Sequence, residues 1–333
     1  MRRRRILLII VVVLVFSFGV IVPVLALTPL GAPLFSALTH GAPTVIPAPT
    51  PIPATPSPSP TPEPILTVRG TPPAITSGAA ILLDATTGHI LDDVNGETPM
   101  PMASTTKIMT AIIAIQTADL NQVVTIQRDA YEEVYLHDGS SADLVVGDKI
   151  ALKDLLYGLM LPSGDDAAIA IADALGGTSA NFVNTMNLFA LRLHLFQTHY
   201  INPDGLTYYG PNGAPLPDHY TTAYDLVRLA QYAMANPLFA QIVQTQRYVL
   251  PANGQHHAYI WTTTNELLST YSGATGIKTG HTIEAAYCLV FAARRGNEYL
   301  IGVVLHNADS ELRFKDAKTL LDWGFSLPLL PPM

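Results

Sequence analysis

Ten of the 22 residues from Pro43 to Pro64 are proline. Proline fixes φ and lacks an N–H, so such a stretch builds neither a helix interior nor a central strand and favours an extended polyproline II stalk. Any compact body must come from the residues beyond Pro64. Upstream, Arg2, Arg3, Arg4 and Arg5 precede an uncharged run from Ile6 to Leu27, which as a helix would be about 33 Å long, enough to cross a bilayer. It exceeds the roughly 7–15 residues of a signal-peptide core. The expectation is an uncleaved anchor with the arginines cytoplasmic and everything after Leu27 exported; cleavage near Val24 or Ala26 would instead release the chain. The layout is then a basic tail (1–5), a membrane segment (6–27), a proline-rich stalk (28–74), a folded domain (75–326) and a short tail (327–333).

Charge excludes one large class of function. Residues 76–333 carry 13 basic and 25 acidic residues, a formal charge of −12, which disfavours nucleic-acid binding. Cys288 is the only cysteine, so no intramolecular disulfide supports the fold. It sits in an apolar strand-like run, as a buried structural thiol does. The ten histidines include no His-Glu-x-x-His, and no metal or other cofactor is expected.

Local patterns suggest an α/β or α+β domain. "AAILLDATTGHIL" (79–91) reads as two strands around a Thr-Thr-Gly turn, and "YCLVFAARR" (287–295) with "YLIGVVLH" (299–306) reads as a second hairpin. Between them helical periodicity dominates. Leu152, Leu155, Leu156 and Leu159 share a helix face, "DAAIAIADALGG" (166–177) ends in a glycine pair, and "KDAKTLLDWGF" (315–325) forms a last helix. Strands at both ends of a helical middle point to one mostly antiparallel sheet.

The chemistry begins at "PMASTTKIMTAIIAI" (101–115). Ser104 and Lys107 are one helical turn apart, and Ile108, Met109, Ile112 and Ile113 would strip water from the lysine, favouring a neutral amine that can serve as base for the serine. Taken alone, Ser-x-x-Lys is common and also suits a helix cap with a snorkelling lysine. Two later stretches, "LPSGDDAA" (161–168) and "GIKTGHT" (276–282), change that balance. In this order the three motifs resemble those of penicillin-binding serine acyltransferases. Over residues 75–326, with "NPDGL" (202–206), "HYTTAYDLVRLA" (219–230) and "WTTTNELL" (261–268) in support, the chain is similar to low-molecular-mass D-alanyl-D-alanine carboxypeptidases.

That resemblance implies a five-stranded antiparallel sheet flanked by helices, a helical subdomain, and a cleft between them. It implies a bacterial membrane-anchored enzyme facing the cell wall, trimming peptidoglycan stem peptides that end in D-Ala–D-Ala and inhibited by β-lactams. Ser104 would be the nucleophile, Lys107 its base and Ser163 a proton relay, with Asp165 in the surrounding polar network. Lys278 and Thr279 would hold the substrate carboxylate, Gly280 would allow close approach, and the backbone N–H groups of Ser104 and His281 would bind the oxyanion. Two positions depart from the family pattern: Asp165 replaces asparagine and Ala286 replaces glycine. A β-lactamase shares two motifs, but no glutamate lies between Glu133 and Glu266 to hold a deacylating water. An anchored sensor that acylates without turnover is a further alternative, with only Arg2–Arg5 as its cytoplasmic part. Asp204 in "NPDG" reads as a turn residue.

Overall fold

The computed structural model describes residues 64–331; the basic tail, the membrane segment and most of the stalk lie outside them. Among the described residues no helix is long and apolar enough to cross a membrane. Strands β1 (Ile65–Leu66), β2 (Ala79–Asp84) and β3 (Ile90–Val94) lead to a 3-10 turn at Ala103–Thr106 and helix α1 (Lys107–Thr117). A helix-rich stretch comes next, with β4 (Val123–Thr125), α2 (Arg128–His137), β5 (Lys149–Ala151), α3 (Leu152–Met160), α4 (Asp165–Gly176), α5 (Ser179–Arg192), α6 (Ala223–Met234) and α7 (Pro237–Gln244). The hairpin β6 (Arg247–Leu250) and β7 (Tyr259–Thr262) precedes the single turn α8 (Leu267–Thr270). The chain closes with β8 (Ala274–Thr282), β9 (Ala286–Arg295), β10 (Glu298–Asn307), α9 (Ser310–Gly324) and β11 (Leu329–Leu330).

Five strands form one antiparallel sheet in the order β3-β2-β10-β9-β8. Both faces are covered, which explains why the strands read as near-continuous apolar runs rather than as alternating ones. Ile81, Leu83, Val290, Ala292, Ile301 and Val303 belong to the larger core shared with α1, α3, α4 and α6. Their neighbours Ala80, Leu82, Leu289, Phe291, Leu300 and Val304 pack with Phe314, Ala317, Leu320 and Leu321 of α9. Cys288 is fully buried in the larger core, and burial pushes its thiol up to about 11.

The folded body is longer than the 75–326 read from the sequence. Ile65 pairs with Leu330 and Leu66 with Leu329, and Thr67 N donates to Pro328 O at 3.0 Å. Leu66 is buried in the α9-side core. Two apolar residues at the end of a proline-dominated segment make a strand only because Leu329 and Leu330 supply the ladder, a long-range pairing that local composition does not reveal.

A single carboxylate of α9 gathers several polar groups at the end of the sheet. Asp316 Oδ2, from within α9, accepts from Thr76 N (2.9 Å), Ser77 N (2.9 Å), Ser77 Oγ (2.7 Å) and Asn307 Nδ2 (2.8 Å), joining the approach to β2 to the end of β10. We expect Asp316→Ala to strand these buried donors and cost about 2–4 kcal/mol, a fall of several degrees in Tm, read by thermal denaturation; an unchanged Tm would show that water replaces the carboxylate without loss.

Candidate active site

The chain enters the site under tension. Ala103 has φ +48, a left-handed conformation that costs a non-glycine residue energy, and it opens the 3-10 turn that carries Ser104 into α1. The sequence places Ser104 and Lys107 on one helix; in the structure Ser104 stands on this tighter lead-in turn, with Lys107 as the first residue of α1. The helix is buried from Lys107 to Ala114, and Lys107 itself is 0% exposed. Its ammonium donates to Ser104 Oγ at 2.9 Å, to Asp165 Oδ1 at 2.5 Å and to the backbone oxygen of Asp204 at 2.8 Å. All three of its protons thereby have acceptors.

Each acceptor has its own support. Asp165 begins α4, and its second oxygen, Oδ2, accepts from Ser140 N at 2.7 Å. Two carboxylate oxygens thus face two donors. An asparagine offers one acceptor oxygen and would set its NH₂ against the other donor, which gives the departure from the family residue a local reason. Asp166 holds the facing segment through Ser141 Oγ (2.8 Å), Ala142 N (2.9 Å) and Leu144 N (3.1 Å). Ser163, at φ +69, lines the same cleft.

Asp204 is the turn residue its motif suggests, with Oδ1 accepting from Leu206 N at 2.7 Å. Gly205 is needed beside it. At φ +98, an added Cβ there would stand 2.0 Å from Ala103 O, so only glycine lets this loop press against the nucleophile's turn. The Asp204 carboxyl is completely buried, its Oδ2 unpartnered, and burial together with the Asp165 charge drives it well above the usual carboxylate range. Its surroundings thus favour the neutral form.

His219 supports the turn from below. Ile201 N donates to its Nδ1 at 3.1 Å, so Nε2 carries the proton and reaches Thr106 Oγ1 at 2.8 Å; Thr106 in turn donates to Ala103 O at 2.8 Å. The imidazole is kept neutral, its pKa lowered to about 3 by burial and then by nearby His199 and Lys107.

The opposite wall is β8, an edge strand. Lys278 is buried and donates to Thr279 O at 2.9 Å; burial and then the Lys107 charge hold its pKa well below the ordinary lysine value. Thr279 Oγ1 shares a 2.6 Å hydrogen bond with Thr264 Oγ1. A Cβ on Gly280 would lie 3.1 Å from Met102 O and 3.3 Å from Ser104 N, so this position sets how closely β8 approaches the nucleophile. The His281 ring is exposed and stacks on Tyr287, centroids 4.2 Å apart. Ala286, where the family has glycine, takes φ +50 at the head of β9.

Between these walls lies a cleft of about 250 Å³, lined by Ser104, Ser163, Asp165, Thr279, Gly280 and His281 together with Arg313. Arg313 was not legible from the sequence. It projects from α9, is 8% exposed, donates to Gly280 O at 3.1 Å, and has no salt-bridge partner among the described residues. Thr264 and Ser140 are likewise additions. No spacing rule ties any of the three to the motifs, although "WTTTNELL" contains Thr264. Six of the eight residues singled out from the sequence line this cleft, Lys107 is hydrogen-bonded to Ser104 among them, and Lys278 is buried on β8 beside Thr279.

A sheet flanked by helices, with a buried Ser–Lys pair facing Lys-Thr-Gly on its edge strand, defines a serine acyl-enzyme former. Residues 67–309 match the D-alanyl-D-alanine carboxypeptidase family model. The chain is 40% identical to a D-alanyl-D-alanine carboxypeptidase of Streptomyces sp. strain K15 over 269 residues, covering 77% of this chain and 90% of that one. It is 31% identical to DacF of Bacillus subtilis, over 74% of this chain and 62% of that one. The crystal structure of the Streptomyces K15 DD-transpeptidase superposes with a TM-score of 0.72 at 38% identity, covering 78% of this chain and all of that one. This chain belongs to the serine-type D-alanyl-D-alanine carboxypeptidase family.

The site's charges set two measurable outcomes. The two Asp165 oxygens meet two donors, Lys107 Nζ and Ser140 N, and an amide can accept from only one of them, so Asp165→Asn should cost about 1–3 kcal/mol, read as a lowered Tm; an unchanged Tm would show that the amide serves this position equally well. For His219, the folded pKa lies below the unfolded value of 6.5. Its contribution to stability is therefore complete above about pH 6.5 and is lost as pH falls toward about 3, on the order of 5 kcal/mol in all. His219→Gln should flatten that acid limb in urea unfolding at pH 7 and pH 4; an equally steep loss would place the acid sensitivity elsewhere.

Proposed function

We propose that this protein is a D-Ala–D-Ala carboxypeptidase that removes the terminal D-alanine of peptidoglycan stem peptides through an acyl-enzyme on Ser104, and that β-lactams acylate the same hydroxyl. The observation that carries this reading is Lys107, fully buried and hydrogen-bonded to Ser104 Oγ. In its amine form Lys107 takes the hydroxyl proton as Oγ attacks the carbonyl of the penultimate D-alanine. The backbone N–H groups of Ser104 and His281 receive the oxyanion. Collapse of the tetrahedral intermediate breaks the peptide bond and forms the ester, with Ser163 passing a proton to the departing amine of D-alanine. Water then attacks the ester and frees Ser104. Lys278, Thr279 and Arg313 supply the positive, hydrogen-bonding end that a terminal carboxylate needs. The lowered pKa of Lys278 fits a cation that is stabilised when that carboxylate arrives.

The similarity to a DD-transpeptidase favours a second fate for the same ester: capture by an amine in place of water, which forms a new peptide bond. Adding an amino-acid acceptor to the assay separates the two, since transfer yields a new peptide and hydrolysis a shortened one. We place the enzyme at the bacterial membrane through the 6–27 segment, with the catalytic domain outside the cytoplasm. Proteolysis of intact cells from outside would release the domain if that placement holds.

Ser104→Ala should abolish covalent labelling by a fluorescent penicillin and release of D-alanine from a pentapeptide while the domain stays folded, with Tm lowered by a few degrees, because no core volume is lost but one proton of the buried Lys107 ammonium loses its acceptor. Labelling at another residue would remove Ser104 from its role. Lys278→Ala should lower kcat/KM for a peptide with a free terminal carboxylate by roughly 10²-fold, as loss of a buried charged contact does, and change the amidated peptide far less; equal losses would mean that Lys278 acts on something other than the carboxylate.

A further inference from the structure

Among the described residues, helix α2 carries an aromatic face that no other element covers. Ala130 is its one buried residue, and Tyr131 and Tyr135, one turn apart, are 52% and 74% exposed. Their rings lie nearly parallel, with 11° between planes and 6.1 Å between centroids. Together they make a flat apolar rail edged by two phenol hydroxyls. Exposed apolar residues scattered singly need no explanation; two stacked on one helix face form a patch.

The rail leads into the catalytic cleft. Tyr131, Tyr135 and Asp138 follow one another at i, i+4 and i+7 along one side of α2, and Asp138, Gly139 and Ser140 line the cleft. By helix rise the two rings stand roughly 5 and 10 Å before Asp138. Gly139 N donates to Val134 O at 3.1 Å and Ser140 N to Asp165 Oδ2 at 2.7 Å, so the last turn of α2 is fixed against the site.

Two consecutive tyrosines show which end of the cleft α2 flanks. Tyr208 Oη donates to Glu133 of α2 at 2.9 Å, and Tyr209 Oη donates to Glu284, just past β8, at 2.7 Å. The helix therefore stands beside the Thr282 end of β8, away from Lys278 and Thr279. A peptide lying along β8 with its carboxylate at Lys278 leaves the cleft at the α2 end. In a pentapeptide stem three residues precede D-Ala–D-Ala, about 10 Å of extended chain at roughly 3.4 Å per residue, and the sugar begins beyond them.

Charge narrows the choice of occupant. The helix and its cap carry Asp129, Glu132, Glu133 and Asp138 against Arg128, which is paired with Glu132 at 2.8 Å. Such a face repels an anionic lipid surface. A pyranose ring presents C–H groups on its face and hydroxyls at its rim, the complement of an aromatic platform with a polar border. We propose that Tyr131 and Tyr135 stack against sugar rings of the glycan strand that bears the stem peptide, so that the enzyme recognises the polymer as well as the peptide end. The inference rests on the carboxypeptidase reading and extends its substrate from the peptide to the glycan.

The test measures kcat/KM for D-alanine release by the full chain from a stem pentapeptide, free and attached to a soluble oligosaccharide of the glycan. The wild-type enzyme should favour the attached peptide by roughly tenfold. Tyr131→Ala with Tyr135→Ala should bring the ratio close to one and leave hydrolysis of the free peptide unchanged. Tyr131→Phe with Tyr135→Phe should keep most of the preference, because the ring faces remain. A wild-type ratio of one, or an undiminished preference in the double alanine variant, overturns the inference while D-alanine release leaves the carboxypeptidase reading standing. A wild-type dimer that the double alanine variant dissolves, with no glycan preference, would overturn it in favour of a second copy of this chain on the same face. Failure to release D-alanine from either substrate overturns both.

Discussion

The site depends on a single buried ammonium with three acceptors. Lys107 is anchored to the 3-10 turn through Ser104, to the start of α4 through Asp165 and to the 202–206 loop through Asp204 O. These segments are far apart in sequence and meet only in the folded domain. A buried ion pair recovers little net stability after desolvation, yet removing one partner leaves an uncompensated charge and is strongly destabilising. The lysine thus functions as a common reference point: if any wall is misplaced, a proton of the ammonium loses its acceptor.

The backbone around the nucleophile is over-determined in the same way. Ala103 and Ser163 both occupy the left-handed region, and such conformations persist only where surrounding contacts enforce them. For Ala103 those contacts are visible. His219 and Thr106 hold its carbonyl, and Gly205 and Gly280 let two loops close on either side without a Cβ in the way. The nucleophile is set in place before any ligand arrives, so little reorganisation remains for the chemical step.

Much of this was legible in the sequence, and the reasons are local. Leu152 to Leu159 and the Gly176–Gly177 end of α4 reflect periodicity and capping. The two hairpins reflect apolar runs around turn residues, and Ser104, Lys107, Ser163 and Lys278 come from short motifs. What escaped depends on tertiary encounters. β1 exists only because β11 returns to pair with it. Arg313 enters the cleft from the face of α9 that packs on the sheet, which its neighbours in "ELRFKDAK" do not disclose. Asp165 looked like a departure from pattern until Ser140 N was seen to occupy its second oxygen. Ala286 keeps a glycine-like conformation without being glycine, a tolerance that the turn residue alone does not announce.

The placement of charge has a kinetic consequence. The folded region, residues 65–331, carries a formal charge of −11, while Arg313 and Asp165 line the cleft, Lys107 pairs with Asp165 behind it and Lys278 lies buried on β8. An anionic ligand in dilute solution meets a repulsive envelope at long range and an attractive floor only at contact. Salt screens the first over about 8–10 Å near physiological ionic strength but hardly reaches the second, which is buried. Encounter with anionic ligands therefore quickens as ionic strength rises from very low values, the reverse of the behaviour of a protein that steers its ligands in with surface charge.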